Sequence, residues 1–122
     1  MALHTKPTIL VCDDEEGLRE SFKLILSDTY HLQFAVNGLE AMEILKKSTP
    51  SALILDIKMP KQNGMETLKA IKKLKPSLPV LIVTGYQSVE MAQEALKHGA
   101  ADYIPKPFDS KQILKVISKI IK

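Results

Sequence analysis

Five side chains in this chain could do chemistry together. Asp13 and Asp14 follow the apolar run Thr8-Ile9-Leu10-Val11-Cys12, and Asp56 follows Ala52-Leu53-Ile54-Leu55. Thr84 follows Pro79-Val80-Leu81-Ile82-Val83, and Lys106 follows Tyr103-Ile104-Pro105. Each polar group stands at the end of a short apolar stretch. Parallel strands would deliver all of them to one edge of one sheet. Three carboxylates, a hydroxyl and an ammonium at one point serve no packing purpose. Clustered negative charge is costly unless a cation neutralises it, and a set of carboxylate oxygens suits a hard divalent ion. The pattern implies a divalent-metal pocket built around one reactive carboxylate.

The elements that must position these groups alternate. Short apolar runs are followed by longer amphipathic segments, five times along the chain, which indicates an α/β domain with a mostly parallel sheet. Leu18, Phe22, Ile25 and Leu26 share one helical face. Asn37 and Glu40 form a capping pair that opens a second helix with Ala41, Ile44 and Leu45 inward, and Thr49-Pro50 stops it. Met65, Leu68, Ile71 and Leu74 mark a third helix that ends before Pro76. Val89, Ala92, Ala95 and Leu96 mark a fourth, with Gly99 as its C-terminal cap. Asp109 and Gln112 can cap the last helix, which is expected to bury Ile113, Leu114, Val116, Ile117, Ile120 and Ile121. The runs ending at Cys12, Leu55 and Val83 are continuously apolar, as central strands are. Tyr30–Val36 contains His31 and Gln33, and Ala101–Pro105 is short with polar and proline positions, so both read as edges. Edge strands second and fifth, with the first inside, match the flavodoxin-like order 2-1-3-4-5, whose ligand site lies between the first and third strands.

Composition sets further bounds. The 122 residues fit a single domain spanning 1–122, with 45% hydrophobic and 25% charged residues, a globular balance. No apolar run approaches the roughly 20 residues needed to cross a bilayer, and Met1–Pro7 lacks a signal-peptide core, so a cytoplasmic location without membrane contact is expected. Cys12 is the only cysteine and reads as a small buried hydrophobe. The net charge of +3 rests on lysine, Arg19 being the only arginine. Direct nucleic-acid binding is therefore not expected, because bidentate phosphate and base contacts favour arginine. Lys69, Lys72, Lys73 and Lys75 read as a solvated helix face assisted by the C-terminal dipole. His4, His31 and His98 read as surface residues without ligand spacing or acidic partners at helical distance.

Several short motifs occur in a telling order. Val11-Cys12-Asp13-Asp14-Glu15, Leu55-Asp56-Ile57-Lys58-Met59-Pro60 with Asn63-Gly64, Thr84-Gly85, and Asp102-Tyr103-Ile104-Pro105-Lys106-Pro107-Phe108 together resemble the response-regulator receiver domain of two-component signalling. The resemblance covers essentially the whole chain. It implies a switch that accepts a phosphoryl group on Asp56 from a histidine kinase or phosphotransfer protein. Asp14, Asp56 and the Lys58 carbonyl would bind Mg²⁺ or Mn²⁺ directly, and Asp13 indirectly. Lys106 and Thr84 would contact the phosphoryl oxygens. Lys106-Pro107 would be a cis peptide. Thr84 and Tyr103 would carry the switch to the face of the fourth helix, fifth strand and fifth helix, where an output domain, a downstream protein or a second copy would bind.

The same resemblance places Lys58 and Tyr86 two residues past Asp56 and Thr84, beside the acyl phosphate, where large side chains would shield it from water. Gly17, Leu18 and Phe108 would be apolar contacts for the kinase. The stretch Val89–Phe108 is similar to receivers that precede ATPase transcription activators, so an excised regulatory domain and a stand-alone phosphorelay intermediate both stay open. Such a switch is not an enzyme for an external substrate. An aspartate-nucleophile phosphatase is the enzymatic alternative, but it places a D-x-D pattern after its first strand. A flavodoxin-type electron carrier would find its flavin phosphate repelled by Asp13-Asp14-Glu15-Glu16.

Overall fold

A computed structural model describes residues 6–58 and 63–121. Met59 and Pro60 of the second motif, and His4, lie outside the described residues. The elements alternate strictly: β1 (Thr8–Cys12), α1 (Glu16–Leu26), β2 (His31–Ala35), α2 (Gly38–Lys47), β3 (Ala52–Leu55), α3 (Gly64–Leu74), β4 (Val80–Thr84), α4 (Val89–Lys97), β5 (Asp102–Pro105) and α5 (Ser110–Ile120). The strands form one parallel sheet in the order β2-β1-β3-β4-β5, as the burial-based reading of the sequence anticipates.

Alternation of side chains across the sheet divides the core into two layers. Leu10, Cys12, Leu53, Leu55, Val80 and Ile82 meet Ala41, Leu45, Leu68, Ile71 and Ala95 on one face. Ile9, Val11, Ile54, Leu81 and Val83 meet Phe22, Leu26, Ile113 and Ile117 on the other. Burying one such aliphatic or aromatic side chain is worth about 1.5–3 kcal/mol. The central strands are buried on both faces, whereas β2 and β5 carry exposed positions, as edges do.

Local signals set the helix ends. Asn37 Oδ1 accepts the Glu40 N–H at 2.8 Å while Glu40 Oε1 accepts the Val36 N–H at 3.1 Å, a reciprocal cap. Asn63, Ser88 and Asp109 cap α3, α4 and α5 through their side chains. Gly99 has φ of 103°, the left-handed value that closes α4. Gly64 opens α3 where a Cβ would fall on the Cα and carbonyl oxygen of Ile57, so only glycine fits against the chain leaving Asp56.

Three helices bury less than their periodicity implies; on α3, Met65, Leu68 and Ile71 are buried but Leu74 is exposed. Of the four α4 positions expected to face inward, Val89, Ala92, Ala95 and Leu96, only Ala95 is buried, while Val89 and Leu96 are exposed. On α5, Ile113 and Ile117 are buried, and Val116, Ile120 and Ile121 pack partly, but Leu114 is exposed, against expectation. Leu114 lies about 100° around the helix from Ile113, outside the stripe that touches the sheet.

Candidate functional site

The sheet's own ladder places the candidate site residues. The Asp13 N–H donates to the Ala35 carbonyl of β2 at 3.1 Å, and the Asp56 N–H to the Cys12 carbonyl of β1 at 3.1 Å. The Lys106 N–H donates to the Thr84 carbonyl of β4 at 2.7 Å. Each residue just past a strand is therefore still anchored by the neighbouring strand, and the side chains gather at the C-terminal edge at the β1–β3 switch point.

Lys106 is the hub. Its Nζ donates to Asp56 Oδ2 at 2.8 Å and to Asp13 Oδ2 at 3.1 Å, and lies 3.5 Å from Glu15 Oε1. Backbone amides take the other oxygens: Lys58 N–H donates to Asp56 Oδ1 at 2.8 Å, and Glu15 N–H to Asp13 Oδ1 at 3.0 Å. Asp13 and Asp56 are each only 2% exposed, and Thr84 is fully buried. Arg19 on α1 donates from Nη1 to the Asp13 carbonyl at 2.8 Å and braces the β1–α1 turn. Lys106-Pro107 is cis, and Gln87 Nε2 donates to the Lys106 carbonyl at 2.8 Å.

Burial pushes the Asp13 carboxyl above its usual range, opposed by the Glu15 N–H and the Lys106 ammonium. Burial alone would depress Lys106, but its hydrogen bond and charge interaction with Asp56, together with Asp13, outweigh that and raise it. It is a fixed cation. The Cys12 thiol is pushed up to about 12 by burial and by the charges of Asp13 and Asp56, which leaves it an inert core residue.

A cleft of about 320 Å³ opens over the cluster, lined by Asp14, Glu15, Asp56, Lys58, Gly85 and Lys106. Asp13, Asp14, Glu15 and Asp56 each bring a carboxylate oxygen within 4.8 Å of the others. An all-oxygen donor set with exposed Asp14 at its mouth fits a hard, partly hydrated cation such as Mg²⁺ or Mn²⁺. Clefts of about 380 and 420 Å³ lie at the α2–β3/α3–β4 loops and between α2 and α3, away from the acidic cluster. Chemistry, not size, distinguishes the site.

Of the remaining expected residues, Lys58 lines this cleft and the others lie outside its lining. The Lys58 ammonium lies over the Tyr86 ring, 5.3 Å from its centroid, and its methylenes pass beside Gly85. Tyr86 N–H lies 3.5 Å from Thr84 Oγ1. Tyr103 is half-buried and donates its hydroxyl to the Tyr86 carbonyl at 2.9 Å. Phe108 stacks on Phe22 with ring centroids 5.0 Å apart, so it is partly a packing residue. Gly17 is exposed with open space beside its Cα, and Leu18 is half-buried.

Two features escape a reading of the sequence. Glu15 belongs to the cluster, although its motif position alone assigns it no role. His98 has an acidic partner after all: its Nε2 lies 3.8 Å from Glu94 Oε2, one helical turn back. Spacing four residues apart on α4 was the available signal.

A family model described as the response regulator receiver domain matches residues 9–118. The chain is 36% identical over 115 residues to the response regulator MprA of Mycobacterium leprae, an alignment that takes in 93% of this chain and 50% of that protein. It thus spans about half the length of the curated relatives it matches. Its fold superposes on a CheY-like receiver domain protein from Methanospirillum hungatei JF-1 with a TM-score of 0.90, at 30% identity over 96% of this chain and 94% of that one. NtrX from Brucella abortus gives 0.89 at 32% identity, over 96% of this chain and 27% of that chain.

Proposed function

This chain belongs to the response regulator receiver domain family of two-component signalling, and from that premise we propose that it is a Mg²⁺-dependent phosphoacceptor switch with Asp56 as the nucleophile. The observation that carries this reading is the buried Asp56 carboxylate held 2.8 Å from Lys106 at the floor of an acidic cleft.

An Asp56 oxygen attacks the phosphorus of a kinase phosphohistidine; the O–P bond forms as the N–P bond breaks, and the imidazole leaves with its electron pair. Phosphoryl transfer needs mainly alignment and charge neutralisation. The Lys58 N–H fixes the Asp56 carboxylate, and Lys106 supplies a positive charge that no ordinary pH removes. Asp14, Asp56 and the Lys58 carbonyl, with Asp13 behind them, would hold the ion. When bound, Mg²⁺ or Mn²⁺ neutralises the phosphoryl oxygens and the carboxylates together. Lys58 and Tyr86 cover the cleft on the β4 side and would slow attack by water.

The Thr84 hydroxyl offers a hydrogen bond to a phosphoryl oxygen, and its movement would hold Tyr103 in the half-buried seat against the Tyr86 carbonyl that it already occupies here. The α4–β5–α5 face, which exposes Val89, Leu96 and Leu114, would pass the change to an output domain, a partner protein or a second copy. Gly17, Leu18 and Phe108 would meet the histidine kinase. Turnover of an external substrate is not part of this reading. No helix among the described residues is long and apolar enough to cross a membrane.

Intact-mass measurement after acetyl phosphate treatment, with and without Mg²⁺, tests the proposal. A Mg²⁺-dependent gain of one phosphoryl group, absent from Asp56→Asn, is expected. A folded, metal-bound protein that gains nothing would reopen the phosphatase reading.

A further inference from the structure

Glu15 occupies the N-cap of α1, yet its side chain makes no cap hydrogen bond. The other four helices are all capped by side chains, those of Asn37, Asn63, Ser88 and Asp109. Glutamate is not among the residues favoured at an N-cap, so this position forgoes local stability. A local rule broken at one position invites a functional explanation. The Glu15 carboxylate instead lies 3.5 Å from Lys106 Nζ, at the solvent side of the cluster, with the side chain 63% exposed. Lys106 is thus bracketed by two buried partners below, Asp13 and Asp56, and one exposed partner above.

This arrangement bears on how the cleft loads. In the described state Lys106 holds one oxygen of Asp56 and one of Asp13, so it competes with any cation for the carboxylates that would bind it. An ammonium cannot retreat into solvent free of cost when its stem is packed and only 15% of its side chain is exposed.

We propose that Glu15 is the second seat of Lys106, a positioning carboxylate to which the ammonium shifts when a divalent cation claims Asp14 and Asp56, with Asp13 behind them. The shift needs a change in the lysine's terminal torsions only, because all three carboxylates already lie within 3.5 Å of Nζ. Glu15 thereby favours metal entry while keeping Lys106 at the cleft for an incoming phosphoryl group. The inference rests on the receiver reading above and concerns the metal-binding step alone.

A double-mutant cycle on the full chain tests it, with Mg²⁺ titrated by amide chemical shifts and no phosphodonor present. Glu15→Gln should weaken Mg²⁺ about two- to fivefold in the parent, the range of an exposed ion pair. In a Lys106→Met background the same change should lose most of that effect, because no ammonium needs the seat. Equal weakening in both backgrounds would mean that Glu15 acts on the ion directly or through its bare charge, and would overturn the proposal. So would unchanged affinity in the parent background. Thermal unfolding of each variant confirms that the fold is retained. A parent chain that takes up no Mg²⁺ would remove the receiver reading and this inference with it, whereas normal uptake with an indifferent Glu15→Gln would remove this inference alone.

Discussion

Lys106 Nζ lies 2.8 Å from Asp56 Oδ2, although the strands that carry them, β5 and β3, are separated by β4. The lysine stem therefore crosses the end of β4, where Thr84 is buried. The two oxygens of Asp56 are held differently. Oδ1 is fixed by the rigid Lys58 amide, and Oδ2 by the end of a long side chain. One oxygen is positioned and the other is held by a partner that can leave.

Removing that partner should strand buried charge. Lys106→Met keeps the stem but leaves Asp13 and Asp56 facing one another without a cation. Breaking a buried ion pair by deleting one member costs several kcal/mol, and this partly open site should lose about 2–4 kcal/mol. Urea unfolding in EDTA checks the value. Mg²⁺ should restore more stability to the variant than to the parent, because it replaces the missing charge. A variant as stable as the parent in EDTA would contradict the pairing argument.

Asp13 sets a pH dependence of opposite sense to an ordinary salt-bridged aspartate. Its carboxyl is raised in the folded protein, chiefly by burial, from an ordinary value of 3.8. The folded state therefore holds the proton more tightly than the unfolded state. The stability this contributes is complete below the ordinary value and is lost as pH rises through the raised one. Asp13→Asn has no such proton. In metal-free buffer, the stability of Asp13→Asn minus that of the parent should grow as pH rises from 3.8 through the raised value. Parallel pH curves from urea melts would show that burial of Asp13 is not linked to folding.

Much of the architecture was legible because burial on two faces leaves a plain record. Ala52–Leu55 and Val80–Val83 contain no polar residue, which separates them from β2 with His31 and Gln33. That contrast ordered the sheet, and the sheet order brought Asp13, Asp56, Thr84 and Lys106 together. Side-chain reach was less legible. Periodicity tells which residues share a helix face, not how wide a contact the sheet offers. Val89, Leu96 and Leu114 extend past that contact. Glu15 was hidden for a related reason: its membership depends on a side chain turning away from its own helix, which no local pattern records.

Gly64 should be among the least replaceable positions near the site. An added Cβ would collide with backbone atoms of Ile57, which cannot move aside as a flexible side chain would. Ile57 lies between Asp56 and Lys58, so relief of the collision must shift the turn that holds Asp56. Gly64→Ala should cost about 3 kcal/mol, at the upper end of ordinary overpacking, and should also slow phosphorylation from acetyl phosphate. Urea unfolding and intact-mass time courses measure the two effects. A variant with parental stability would mean that α3 can slide away from Ile57 at little cost.

The lifetime of the phosphorylated state should depend on the contact between Lys58 and Tyr86. The ammonium sits over the ring at 5.3 Å, and the lysine stem runs along Gly85 at the cleft wall. Each group restrains the other, so together they exclude water better than either alone. Cation–π attraction at a partly exposed site is worth about 0.5–1 kcal/mol. Tyr86→Phe keeps the ring face and should leave dephosphorylation nearly unchanged. Tyr86→Ala and Lys58→Ala should each hasten it several-fold, and the double variant should be little faster than the quicker single one. Decay of the phosphorylated mass after removal of acetyl phosphate gives all four rates. Losses that multiply in the double variant would show two independent shields, and unchanged rates in both single variants would show that neither side chain governs access of water to Asp56.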